Sequence, residues 1–157
     1  MARLPLQVLV LPFRRRSDGR IEFAIFRRRD FAQACWQGVA GGVEQGESLE
    51  QAARRELMEE AGIPPGATLV PLDAVASVPA SEFADREAWG PGVYVVTEHA
   101  FGARVEDAQT ITLSREHTEY RWALYEEAAQ LLRWDSNRTA LWELNERLKR
   151  AGSAARG

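Results

Sequence analysis

Residues Gly41 to Ile63 read GGVEQGESLEQAARRELMEEAGI, and the way this stretch starts and stops sets the centre of the fold. Ser48 followed by Gln51 is a capping-box pattern, in which each side chain satisfies a backbone N–H at a helix start. Gly62 offers a left-handed stop, and Pro64-Pro65 prevents continuation. The pattern predicts a helix over Leu49–Ala61. Advancing about 100° per residue, that helix carries Leu49, Ala53 and Leu57 on one side, flanked by Ala52. This is the expected buried stripe, yet Glu56 and Glu60 project into it and Glu59 lies beside Glu56. Residues three and four apart are neighbours on a helix, so three carboxylates converge within one turn. Each is costly to desolvate and together they repel, so something positive has to compensate.

One reading is a surface helix whose glutamates pair with Arg54, Arg55 and cations elsewhere. Two features argue otherwise. A glycine-rich loop through Gly38, Gly41, Gly42 and Gly46 precedes the helix and adds Glu44 and Glu47 near its start. Arg54 and Arg55, the cations within the helix, are expected to project away from Glu60. Hard oxygen ligands of this type suit Mg²⁺ or Mn²⁺, which keep several waters and bridge to substrate phosphates. Without His or Cys the set is a poor zinc site and a good phosphate site.

Outward from the helix, Leu6–Phe13 reads as a buried strand, Arg14–Gly19 as a turn and Ile21–Phe26 as the second arm of a hairpin. Residues 67–78 are strand-like, Pro79–Pro91 is expected to be a long loop, and Gly92–Phe101 and Glu119–Ala123 are further strands. Two helices are expected at Glu126–Leu132 and Ser136–Lys149, followed by a disordered tail from Ala151 to Gly157. The order implies one α/β domain over residues 1–157, an α+β layered fold with a mixed sheet between helices. The length, 157 residues, suits one core. The net charge of −3 leaves no electrostatic footprint for nucleic acid or an anionic membrane surface. No apolar run approaches the roughly 20 residues that span a bilayer. The start of the chain lacks a signal peptide's cleavage region, so a cytoplasmic location is expected. Cys35, the single cysteine, is expected to be a structural thiol.

Gly41, Glu47, then Arg55-Glu56-Leu57-Met58-Glu59-Glu60-Ala61-Gly62-Ile63 resembles the Nudix box at every fixed position. The strands before it and the strand–helix segment after it extend the resemblance over about residues 5–149. The resemblance implies the Nudix fold and a metal-dependent hydrolase that cuts a diphosphate linkage. By that likeness Glu56, Glu59 and Glu60 ligate Mg²⁺ or Mn²⁺, Arg55 orients a glutamate, and Glu47 supports the loop. Glu59 and Glu116 are both candidates for the general base. Glu116 is also a candidate metal ligand, because an acidic residue from this region joins the box helix in several Nudix enzymes; the alternative is a solvated loop glutamate. His117 is read as a structural hydrogen-bonding residue.

Trp36–Val39, Pro91–Val93 and Trp134–Arg138 resemble the dihydroneopterin triphosphate pyrophosphatase-like members. The implied substrate is a small phosphorylated molecule, a nucleoside or pterin triphosphate releasing pyrophosphate. Arg28, Gly41 and Gly42 are candidate substrate contacts, and Trp36 either stacks on a planar ring or packs in the core. The alternatives are a dinucleoside polyphosphate or other nucleoside-diphosphate hydrolase, and a nucleotide-sensing Nudix module without catalysis. No stable nucleic-acid or membrane partner is expected; a homodimer is compatible with the sequence.

Overall fold

The computed structural model describes residues 2–156, with side chains as far as residue 152. A thirteen-residue strand, β1 (Arg3–Arg15), organises the fold. It is followed by β2 (Ile21–Arg28), β3 (Trp36–Gln37), β4 (Val39–Glu44), helix α1 (Leu49–Ala61) and β5 (Thr68–Pro79). A 3-10 turn (Ala80–Glu82) and the short α2 (Arg86–Trp89) then lead to β6 (Val95–Arg104), β7 (His117–Ala123), α3 (Tyr125–Leu131) and α4 (Asp135–Arg156). The seven strands form one mixed sheet in the order β3-β2-β1-β6-β5, with β4 on β1 and β7 on β2. The β1–β6 pair is parallel and runs from Leu6↔Thr97 to Phe13↔Arg104; the other pairs are antiparallel.

β1 shares one edge between two partners. Phe13 to Arg15 pair with β2 as the expected hairpin, whereas Arg3 to Val10 pair with β4. Successive side chains of a strand point to opposite faces, and here both faces are covered. Val8 and Val10 join Phe26, Val39, Ala53, Leu57 and Ile63 beneath α1. Leu9, Leu11 and Phe13 join Ile25, Trp36, Leu132, Leu141 and Leu144 beneath α3 and α4. That two-sided burial explains why Leu6–Phe13 reads as a continuous apolar run rather than an alternating one.

Helix α1 has the predicted bounds. The Gln51 N–H donates to the Ser48 hydroxyl at 3.1 Å, and the Ser48 N–H donates to the Gln51 side chain at 2.9 Å. Gly62 closes the helix at φ 67°, its N–H donating to the last carbonyls.

Three expectations are corrected. The glycine-rich segment is not a loop: Gly41 and Gly42 lie within β4, opposite Val8 and Gln7. The ladder there uses backbone groups alone, which glycine supplies despite its weak strand preference. The Pro79–Pro91 loop contains the 3-10 turn and α2, and the Trp89 indole N–H donates to the Arg3 carbonyl at 2.7 Å, fastening it to the start of β1. Helix α4 continues to Arg156 where a disordered tail is expected; Gly157 lies outside the described residues.

Ser48→Ala removes one half of the capping box and leaves the Gln51 N–H without its partner. Urea denaturation is expected to show a loss of about 1 kcal/mol, with an unchanged slope.

Candidate active site

Helix α1 turns its carboxylates inward as the sequence implies. Glu56 and Glu60 are 8% and 3% exposed on the same face as Leu57 and Ala53, while Glu59 is exposed. Arg55 makes no contact with Glu60, and its guanidinium turns to the other glutamates. Nε donates to Glu47 Oε2 at 2.7 Å and Nη2 to Glu47 Oε1 at 2.9 Å. Nη2 also donates to the Gly42 carbonyl at 2.8 Å. Nη1 donates to Glu56 Oε1 at 2.8 Å and to Glu59 Oε2 at 3.2 Å. A guanidinium has five N–H donors, and each one here has an acceptor. These partners hold Arg55 firmly protonated and the Glu47 carboxyl below the usual range. Arg54 faces elsewhere, bonding Glu50 and the Ala67 carbonyl.

Glu60 stands outside this network. It accepts from the Ala40 backbone N–H at 3.1 Å and shares a hydrogen bond with Glu116. Burial, that carboxyl contact and the nearby Glu56 push its pKa up to about 10. Burial also raises Glu56, against the pull of Arg55. Glu116 reaches the helix because its loop runs along the helix end: the Thr112 N–H donates to the Ala61 carbonyl at 2.9 Å, and Ser114 N–H to the Glu60 carbonyl at 3.4 Å. Gly41 has a steric role, since a Cβ there would lie 2.0 Å from the Glu56 carboxyl carbon. A Cβ at Gly42 would meet Arg3 Nε at 2.1 Å. All-oxygen donors from Glu56, Glu59, Glu60 and Glu116 could hold a hard divalent cation. Among the described residues, no three acidic, His or Cys side chains close into a ligand cluster.

These glutamates line a cleft of about 1190 Å³, together with Arg28, Gly41 and Gly42. Arg28 is paired there with Asp30 through Nε and Nη2, at 2.9 and 2.7 Å. Trp36 is not a cleft residue. It is 5% exposed, packs in the core beneath α3 and α4, and carries the Arg121 guanidinium 5.1 Å from its ring. The strand alternates, so its neighbour Gln37 faces the cleft instead. His117 does not hydrogen-bond as expected: it is 2% exposed, neither ring nitrogen has a partner, and the ring packs 5.5 Å from Phe26. Burial pulls its pKa down. Cys35 is buried, which pushes its thiol up, as befits a structural residue.

Four further cleft residues were not assigned from sequence: Gln7, Gln37, Glu98 and Trp134. Trp134 donates its indole N–H to Gln37 Oε1 at 3.0 Å and meets Phe31 edge-on at 6.0 Å. A glutamate within the apolar strand Val95–Phe101 was the available signal for Glu98.

A mixed sheet between helices, with glutamates of a capped helix facing a large cleft, defines a hydrolase of phosphoanhydride bonds once comparison with known proteins is added. The NUDIX domain model matches residues 4–142, and the chain belongs to the Nudix family. It is 33% identical over 139 residues to the dihydroneopterin triphosphate diphosphatase of Escherichia coli, covering 87% of this chain and 89% of that protein. A Listeria monocytogenes structure assigned as a NUDIX hydrolase superposes with TM-score 0.83 at 41% identity, over 94% of this chain and 97% of that one. The E. coli dihydroneopterin triphosphate pyrophosphohydrolase structure gives TM-score 0.73 at 30% identity, over 92% of this chain and 99% of that one.

Glu60 makes stability depend on pH. Its folded pKa, about 10, lies above the ordinary 4.5, so the folded metal-free protein keeps a proton that the unfolded chain releases. Stability is then fullest below the unfolded value and falls as pH rises through the interval. Metal-free Glu60→Gln is expected to melt progressively higher than wild type between about pH 5 and about pH 9, with little difference at the acid end. Thermal melts in chelator at each pH provide the check; parallel curves for the two proteins would contradict the assignment.

Proposed function

We propose that the chain is a Mg²⁺- or Mn²⁺-dependent pyrophosphohydrolase that cleaves a nucleoside or pterin triphosphate and releases pyrophosphate. The observation carrying this reading is Glu60: a buried carboxyl in a large cleft whose hydrogen-bond partners are one backbone N–H and another carboxyl. Such a group is stable as a carboxylate only beside a cation, and the oxygen-only surroundings fit a hard divalent ion. Glu56, Glu59, Glu60 and Glu116 would hold it. When bound, the ion supplies charge neutralisation on the diphosphate, polarisation of phosphorus and acidification of water.

The protein's own groups have separable tasks. Arg55, saturated by its five acceptors, positions Glu56 and Glu59 and ties both to Glu47. Glu59, exposed to the cleft, and Glu116 are the two candidates to take the proton from the attacking water. Arg28 retains N–H groups beyond those given to Asp30 and can contact a substrate phosphate. Gly41 and Gly42 let the β4 backbone lie close to the reacting groups. The partner is a small phosphorylated molecule in the cytoplasm. Consistent with that, no helix among the described residues is long and apolar enough to cross a membrane. The likeness to the E. coli enzyme supports a ring-bearing triphosphate.

Wild-type protein is expected to release pyrophosphate from one member of a triphosphate panel only with Mg²⁺ or Mn²⁺. Glu60→Gln should lose turnover by orders of magnitude while remaining folded. Mg²⁺ at a hundred times its Kd should stabilise the wild type by about 2.7 kcal/mol, several degrees in a thermal melt, and leave Glu60→Gln almost unmoved. Full activity of Glu60→Gln with Mg²⁺ would remove the assigned centre.

A further inference from the structure

Glu98 has no task in the chemistry at α1. It lies on β6 opposite Gln7 of β1, 5% exposed and lining the cleft. A buried carboxylate in an apolar strand needs a reason, because leaving it without partners is costly. Half of its needs are met within the protein. Arg3 Nη2 donates to Gln7 Oε1 at 3.0 Å, which fixes the Gln7 amide so that its Nε2 donates to Glu98 Oε2 at 2.6 Å. The other oxygen, Oε1, has no hydrogen-bond partner among the described residues. On the same cleft surface Leu9 and Ala100, paired across β1 and β6, provide an apolar floor.

We propose that Glu98 determines ring specificity, accepting hydrogen bonds from the 2-amino-4-oxo edge shared by guanine and pterin rings. This deepens the triphosphate hydrolase reading and rests on it for the position of the phosphates. A carboxylate only accepts hydrogen bonds, so its open oxygen selects an edge rich in donors. The 2-amino-4-oxo edge presents a ring N–H and an exocyclic amine side by side. Adenine offers its exocyclic amine beside a ring nitrogen that is itself an acceptor and would face the carboxylate unfavourably. The apolar floor of Leu9 and Ala100 suits a flat heterocycle rather than a sugar.

The test is calorimetric binding of guanosine, inosine and adenosine 5′-monophosphates to the full chain without divalent metal. It reads ring recognition independently of hydrolysis. Wild type is expected to bind GMP best, IMP (which lacks the 2-amino group) less well, and AMP weakest. Glu98→Gln keeps an acceptor for Gln7 but turns an amide N–H₂ toward the cleft. It should lower GMP affinity roughly ten- to hundred-fold, the scale of a hydrogen bond to a charged acceptor, and move AMP far less. Glu98→Asp, which keeps the charge but withdraws it, should reduce the GMP preference and serves if Glu98→Gln does not fold. Equal binding of GMP and AMP by wild type would overturn the proposal, as would a GMP preference that survives both substitutions. Equal weakening of all ribonucleotides but not their 2′-deoxy forms would overturn it too, by placing Glu98 on the sugar. A triphosphate panel that stays silent with Mg²⁺ while GMP selectivity holds would instead sink only the hydrolytic reading.

Discussion

The arrangement at the site depends on one side chain, Arg55. Its guanidinium joins three pieces of backbone: the end of β4 through the Gly42 carbonyl, the connecting turn through Glu47, and α1 through Glu56 and Glu59. A planar fork with five donors can do this at once, whereas a lysine ammonium has three donors and no fixed plane. Glu47 is itself held by the Glu44 N–H at 2.9 Å, so the turn is tied at both ends. The resulting geometry is stiff but electrically incomplete. One guanidinium faces three carboxylates, while Glu60, buried beyond its reach, has its pKa pushed up to about 10.

The sheet supplies the room for this charge through a division along β1. Its pairing with β4 ends at Val10↔Val39, and its pairing with β2 begins at Phe13↔Phe23, on the same edge. On the other edge β6 follows it without a break from Leu6 to Phe13. One edge therefore diverges while the opposite one stays continuous. α1 packs over the diverging part through Ala52, Ala53 and Leu57, and α4 packs on the other face through Leu141 and Leu144. The cleft is lined from both sides of this division, by the glutamates of α1 and by Gln7, Leu9, Glu98 and Ala100 of the sheet.

The parts legible in the sequence were those governed by local rules. The α1 bounds follow from Ser48, Gln51 and Gly62, and the inward glutamates follow from helical period. β4 was not legible, because Gly41 and Gly42 belong to the strand for reasons outside their own residue type. Gly41 is opposite Val8, far away in sequence, and its bare Cα makes room for Glu56. Arg55 was legible only in part: the helical wheel turns it away from Glu60, but its reach to Glu47 and the Gly42 carbonyl depends on where the long guanidinium arm finds acceptors. Trp36 and Trp134 show the same limit in reverse. Both are aromatic and near motifs, but only the tertiary packing of β3 against α3 and α4 decides that Trp36 is core and Trp134 is cleft wall.

Arg3 connects β4 physically to the Gln7–Glu98 pair of β1 and β6. Its Nη2 orders Gln7 and through it Glu98, while its Nε lies against Gly42, buried and without a hydrogen-bond partner. Burial lowers its pKa, and the attraction of Asp85 and Glu56 offsets part of that shift. Phe83 stacks beneath it at 4.8 Å, and that residue belongs to the segment fastened by Trp89 to the Arg3 carbonyl. The Pro79–Pro91 segment therefore acts on the cleft by holding Arg3 in place between the sheet and the glutamates. The cleft therefore carries the guanidinium groups of Arg3 and Arg28 as well as the carboxyl groups of α1 and Glu98.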